Sequence, residues 1–423
     1  MSNEVPFNIR WLSGGVPDHW QIVEPRRIFK LVKEPERPGD IHLTPSQKYG
    51  VLPQEEYMKI TGARVVQNLS GTQMQHVEPG DFISHLRTFQ GGLELATMPG
   101  KVSPAYTVLR PTEAVYPGFF KHVLKSPGYV SQIASVTDQL RDGQTMRYNE
   151  FNLTWLPLPP LEEQKRIADE LDRELAEIDE FIDDQQRLLN LSMEQYSSQI
   201  HELVTKGHEK DVDLVDSAFD WIGSLPAHWS IQKISWLFND IGSGTTPSSA
   251  DESAFLDGTI NWVTTGELRE AGVSKSKNQI NEDTLNKYSA LKLHPAGSIM
   301  IAMYGATIGR LGWLEEPATV NQAVCVLSNP KKVLPKYVFY VLMVAKPHLL
   351  NQATGGGQPN INQDTIRNLR IPVPPISEQE MIILQAERLD TNLFKLISSF
   401  NKLNSYFREK RISLLTSHIN RLN

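Results

Sequence analysis

The chain has 423 residues, 40% of them hydrophobic, enough for two to four packed domains. One cysteine, Cys325, rules out a disulfide framework and a cysteine metal site, and it suits a reducing cytoplasm. The net charge of −7 comes from the stretch Leu161 to Asn190, with eleven acidic and four basic residues, while acidic and basic residues balance elsewhere. That acidity describes one solvated face and leaves room for a local basic patch that phosphates would feel. The polar N-terminus suggests no signal peptide, and no apolar run is long enough to span a membrane.

Residues 1–155 read as a first globular unit. Trp11 to Trp20 is turn-rich, with two indoles available for burial. Arg64–Gln67, Asp81–Ser84 and Tyr106–Arg110 are short, β-branched or aromatic, and flanked by Gly or Pro, so strands are expected. Phe119–Leu124 and Tyr129–Val136 read as short helices. The pattern is α+β.

Leu156-Pro157-Leu158-Pro159-Pro160 must be extended, because paired prolines fix φ and remove donors. From Leu161 onward Leu171, Leu175, Ile178, Ile182, Leu189, Met193 (or Ser192), Tyr196, Ile200 (or Gln199) and Leu203 recur at spacings of four and three, with Gln185 in the seam. This heptad pattern predicts a coiled-coil helix over 156–206, a rod of roughly 60 Å. Gly207 is its expected C-cap. A polar connection, Asp211 to Asp220, leads into a second globular unit from about Trp221, within 207–370. A helix is expected around Tyr337–Val344. Ile371-Pro372-Val373-Pro374-Pro375-Ile376-Ser377-Glu378-Gln379 repeats the first lead-in and opens a second rod, 371–423, with Ile382, Leu389, Leu393, Leu396, Phe400, Leu403, Phe407 and Leu414 as its seam. Two such helices in one chain most simply pack antiparallel, with Leu171 and Leu393 as core between them. Pro17-x-His19-Trp20 likewise returns as Pro226-x-His228-Trp229. An internal repeat of this length sets the architecture.

With these motifs in place, the chain resembles the specificity subunit of type I restriction–modification enzymes. The resemblance rests on the duplicated Pro-x-Pro-Pro-x-x-Glu-Gln and Pro-x-His-Trp motifs. In the second half it rests also on Gly244-Thr245-Thr246-Pro247-Ser248, Trp262-Val263-Thr264 and Gly355–Ile361. It implies two target recognition domains, each reading half of a split DNA sequence, joined by two long antiparallel coiled-coil helices with a pseudo-twofold repeat. It further implies double-stranded DNA, two methyltransferase subunits and restriction/translocase subunits as partners. S-adenosylmethionine, ATP and Mg would then belong to the partners and not to this chain. The first half departs from the pattern: it lacks the Gly-x-Thr-Pro and Trp-Val-Thr segments and has Lys33-Glu34-Pro35-Glu36-Arg37-Pro38 instead.

Arg and Lys suit guanine O6 and N7, and Asn and Gln suit adenine N6 and N7, in the major groove. Candidate DNA contacts in loop-like contexts are His85, Arg87, Thr88, Gln90, Arg141, Gln144, Arg147 and Tyr148 in the first half. In the second half they are Arg269, Lys275, Lys277, Tyr304, Arg310, Gln322, Gly356, Gln358 and Asn360. Gly355-Gly356-Gly357 either lets the backbone approach a phosphate or is a flexible loop. No methyltransferase cofactor loop, Asn-Pro-Pro-aromatic motif, phosphate loop, nucleophile elbow or His-Glu-x-x-His pattern is present. His19 and His228 are expected to orient hydrogen bonds in the fold. The expectation is a non-catalytic binding module; the alternative is a coiled-coil assembly adaptor without sequence-specific DNA binding. A rod near 60 Å would separate two reading heads by one duplex turn (about 34–36 Å) or slightly more.

Overall fold

The computed structural model describes residues 10–12, 16–63, 73–84, 91–136, 146–209, 211–248, 251–353 and 359–420. The chain divides into two compact units, Met1–Gln186 with Phe400–Asn423, and Arg187–Ser399. Two long helices, Leu161–Lys206 and Ile376–Asn420, of 46 and 45 residues, contribute to both.

The same root is built in each unit. In the first, Gln21–Val23 pairs antiparallel with Leu156–Leu158, placing Ile22 opposite Pro157. In the second, Ser230–Lys233 pairs with Arg370–Val373, placing Ile231 opposite Pro372. The proline lead-ins are therefore strands of two-stranded ribbons, where a missing donor is tolerated. Each is followed by Pro-Pro and a helix whose first turn carries glutamate, favourable near the positive end of the helix dipole.

The glutamine of each Glu-Gln pair is fully buried and serves three backbone groups. Gln164 accepts from Tyr116 N (2.7 Å) and donates to the carbonyls of Ala114 and Pro159 (both 2.9 Å). Gln379 accepts from Leu334 N (2.8 Å) and donates to Pro374 O (2.9 Å) and Lys332 O (3.4 Å). Tyr116 and Leu334 are the N-cap residues of Pro117–Val123 and Pro335–Asn351, so the carboxamide ties the start of the long helix to the start of the helix beside it. The preceding glutamates hold the Pro-x-His-Trp turns: His19 Nε2 lies 2.8 Å from Glu163, and His228 Nε2 lies 2.9 Å from Glu378, which also accepts from Trp229 Nε1. Both histidines therefore orient the fold, as expected.

In the first unit Phe29–Val32, Val108–Pro111, Phe82–Ile83 and Glu94–Leu95 form an antiparallel sheet in that order. Phe29 meets Phe82, Phe120 and Phe151 edge-on at 5.5–5.7 Å, and Trp11 and Trp20 are buried against Tyr129 and Phe119. Leu171 belongs to this core together with Leu175 and Ile419, so the rod end is embedded in the globular part as well as in the rod seam. The helix segments run antiparallel: Glu170 faces His418, Asp179 pairs with Arg411, and the Phe181 ring meets Phe407 at 5.0 Å. Arg64–Gln67 lies outside the described residues.

In the second unit the five-stranded sheet runs Phe238–Ser243, Val324–Pro330, Ile299–Ala302, Leu311–Leu314, Ala271–Val273, with Ile260–Val263 in a smaller three-stranded sheet. The helix Pro335–Asn351 packs on it and reaches both long helices. Tyr340 and Tyr196 donate to the two oxygens of Asp390 (2.7 and 2.5 Å), and the buried Tyr337 hydroxyl donates to Pro372 O. Ser192 is half-buried and Met193 exposed, and Ile200 is buried while Gln199 is exposed, which settles the seam. Gly207 closes the first long helix at φ 80°. The Asp211–Asp220 connection is more ordered than its polarity suggests, because Leu214–Asp216 pairs with Ser224–Pro226. No helix among the described residues is long and apolar enough to cross a membrane.

The divergent segment of the first unit is an ion-pair latch. Glu34 and Asp81 share Arg110, Arg37 bonds to Glu34 and Glu78, and Lys101 donates to Glu36. His76 sits buried in the middle, with Nδ1 2.8 Å from Asp40 and Nε2 3.0 Å from Glu78. Burial opposes its charge, but the hydrogen bonds the imidazolium donates to Asp40 and Glu78 outweigh this and hold its pKa above the usual 6.5. Glu78 is held below its usual 4.5 by His76 and Arg37.

Two outcomes follow. Gln379→Ala leaves buried polar groups unpaired and should cost about 2–4 kcal/mol in chemical denaturation followed by tryptophan fluorescence; a loss under about 1 kcal/mol would mean water replaces the staple. A raised histidine pKa contributes stability that is complete below the unfolded value of 6.5 and is lost as pH rises through the folded value. The carboxylates act oppositely, losing their contribution in acid. Thermal melts of the first unit's transition should therefore fall as pH rises above 6.5, and His76→Gln should flatten that fall. Equal slopes in both proteins would count against the latch.

Candidate nucleic-acid interface

The register of the five-stranded sheet gathers one set of loops at one end. Ser243 is opposite Cys325, Ala302 opposite Val324, Ile301 opposite Leu311, and Ala271 opposite Gly312. The chain therefore leaves or enters the sheet at this end through 244–248, 303–310, 321–323 and 268–270. The end of Ile260–Val263 joins them, since Asn321 N donates to Val263 O.

The Gly-Thr-Thr-Pro loop is pinned at three points. Trp262 Nε1 donates to Thr245 O (3.0 Å), Thr246 Oγ1 donates to Gln322 Oε1 (2.6 Å), and Ser248 N donates to the Tyr288 hydroxyl (3.0 Å). Gly244 is obligatory because a Cβ there would lie 1.8 Å from Val320 O. Gln322 is exposed, with its carboxamide oriented by Thr246. Tyr304 and Asn360 are antiparallel bridge partners, and Met303 N donates to Ala323 O, so 304, 322 and 360 lie on neighbouring segments. The Tyr304 ring is half-buried against the core and Asn360 is exposed.

The cations flank this group. Glu270, at φ 54°, turns the chain so that its N–H donates to Leu311 O, which sets Arg269 beside the Arg310 segment. Arg269, Lys275 and Lys277 are exposed, and Arg310 is half-buried. Lys346, not apparent from the sequence, packs under Gly309 and lies 3.6 Å from Glu270. Sequence reading also missed Glu267, whose carboxylate accepts from Thr264 and Lys277 backbone N–H groups. The Thr264-x-x-Glu267 spacing is a capping-box signature and carried that signal.

Of the first-unit candidates, Arg147 is exposed and caps Tyr148–Phe151, and its N–H donates to Glu150. Tyr148 stacks on Phe151 and donates to Phe29 O (3.2 Å), a role in the fold. His85, Arg87, Thr88, Gln90, Arg141, Gln144, Gly356 and Gln358 lie outside the described residues. Cys325 is buried and its thiol is pushed up to about 12 by burial, which leaves it inert as a nucleophile.

A family model described as the type I restriction modification DNA specificity domain matches residues 226–402, from the second Pro-x-His-Trp into the second long helix. The MjaVIII specificity subunit of Methanocaldococcus jannaschii is 29% identical over 254 residues, 57% of this chain and 56% of that protein. The EcoR124I/EcoR124II specificity subunit of Escherichia coli is 28% identical over 153 residues, 35% of this chain and 38% of its own length. The chain thus spans about half the length, or less, of these curated relatives. Among solved structures, a chain from a study of complex assembly and conformational transition of the type I R-M system superposes with TM-score 0.72 at 15% identity, covering 96% of this chain and 98% of its own. The HsdS subunit from Thermoanaerobacter tengcongensis gives 0.53 at 15% identity, covering 96% and 97%. These two likenesses establish the fold.

Gly244→Ala should destabilise the second unit by about 1–3 kcal/mol, read as a lower urea midpoint. An unchanged midpoint would show that the loop can move away from Val320.

Proposed function

We propose, from the match of residues 226–402 to the type I restriction modification DNA specificity domain, that this chain is the DNA-recognition subunit of a type I restriction–modification complex. Each unit reads one half of a split sequence on double-stranded DNA. The long helices set the spacer between the halves and hold two methyltransferase subunits, and restriction/translocase subunits complete the complex in the cytoplasm. The chain itself performs no chemistry. S-adenosylmethionine is used by the methyltransferase partners, and ATP and Mg by the motor.

The observation that carries this reading is the loop-bearing end of the second unit's sheet, where Arg269, Gln322 and Asn360 are exposed around a pinned backbone, with the exposed Lys275 and Lys277 on the segment that Glu267 ties back to Thr264. Guanidinium and ammonium groups there match phosphates and guanine edges, and carboxamides match adenine. The repetition of the helix root, Gln164 with Gln379 and His19 with His228, supports two reading units of one design.

Inserting one heptad into both long helices tests the spacer role. Binding of the reconstituted complex to duplexes carrying its two half-sites at varied separations should shift its optimum to a longer spacer. An unchanged optimum, with the variant folded, would contradict the proposal.

A further inference from the structure

Glu267 ends the short turn after the Ile260–Val263 strand and is half-buried. Its Oε2 accepts from Thr264 N at 2.8 Å and from Thr264 Oγ1 at 3.0 Å. Its Oε1 accepts from Lys277 N at 2.8 Å and lies 2.7 Å from Ser276 Oγ, whose single proton is shared with Trp262 O at the same distance. These donors come from both ends of the segment 264–277, so one carboxylate closes a loop that carries Arg269, Lys275 and Lys277. Asn261, buried, holds the same loop from below: it accepts from Ser276 N and Gln279 Nε2 and donates to Ser274 O, each at 3.1 Å.

The three cations are treated differently from Glu267. Arg269, Lys275 and Lys277 are exposed, and their side chains make no hydrogen bond or ion pair among the described residues. The Glu267 carboxylate is turned inward and its lone pairs are occupied, and the segment's other acid, the exposed Glu270, lies 3.6 Å from the Lys346 ammonium, so three unpaired cations stand exposed beside one ion-paired acid. A loop ordered beforehand avoids the ordering cost at binding, and discrimination between bases needs side chains held within about 0.5 Å of the productive geometry.

We infer that Glu267 is the positioning residue that presets Arg269, Lys275 and Lys277 for the second half-site. It acts through the loop and touches no DNA. This rests on the DNA-reading function proposed above. A glutamine in its place keeps the size but can offer its oxygen to only one side, and its NH2 then faces a backbone N–H as donor to donor.

The test uses the full chain in complex with its methyltransferase subunits, and competition binding with duplexes altered in one half-site at a time. Glu267→Gln should lower the preference for the cognate second half by about tenfold or more and leave the preference for the first half unchanged. Ser276→Ala, which removes one hydroxyl from the clamp, should shift the same half in the same direction by less, and it serves where Glu267→Gln fails to fold. Combined with Lys277→Ala, the Glu267→Gln loss should be non-additive, since both act through one loop. Equal losses on both halves, or a wild-type preference in both variants once folded protein is matched, would overturn the positioning role. A wild-type complex that prefers no sequence in either half would instead remove the DNA-reading function on which it stands.

Discussion

Each long helix begins at a buried carboxamide that satisfies backbone groups from three places: the proline lead-in, the cap of the neighbouring helix and the turn before that cap. Without it, the Pro159 and Pro374 carbonyls, the Tyr116 and Leu334 N–H groups and the Ala114 and Lys332 carbonyls would each lose the partner it supplies. The glutamate one residue earlier holds the Pro-x-His-Trp turn through its histidine. The ribbon, the turn, the neighbouring helix and the long helix thus meet at two consecutive side chains, and the whole arrangement occurs twice in the chain.

The consequence for the site is positional. In the second unit the strand Phe238–Ser243 starts a few residues after the rooted ribbon and delivers the Gly-Thr-Thr-Pro loop to the sheet end where 303–310, 321–323 and 268–270 also emerge. The loops are then pinned by polar side chains to one another's backbones, so their exposed ends are carried on a stiff base. In the first unit the corresponding strand, Phe29–Val32, leads into Glu34, Glu36 and Arg37, and these are tied up in ion pairs with Glu78, Lys101 and Arg110. The two units share a root and differ in what they build beyond it, as the proposed reading of two different sequences requires.

Much of this was legible in the sequence because it is local or repeated. Heptad spacing located both long helices, paired prolines marked where they start, and the recurrence of Glu-Gln and His-Trp at matching places exposed the duplication. The role of Gln164 and Gln379 was not legible, since their partners lie 45–50 residues away. The same holds for the interface. Arg269, Gln322 and Asn360 were picked out by residue type and glycine context, but their gathering at one sheet end depends on strand register, which no single segment encodes. Tyr148, polar and loop-like in sequence, is bonded to Phe29 and stacked on Phe151, contacts that its own segment does not encode. Glu267 drew no attention because an acid is an unpromising DNA contact, and its value lies in what it holds.

The central claim is that two units of one design read two separate DNA sequences across a set spacer. Its most direct test is methylation-motif mapping by single-molecule sequencing of DNA from cells expressing this chain with its methyltransferase partner. The account predicts a split motif with a constant spacer, whose two halves respond separately to changes in the two units. A contiguous motif, or no modified motif with a methyltransferase shown to be active, would contradict it.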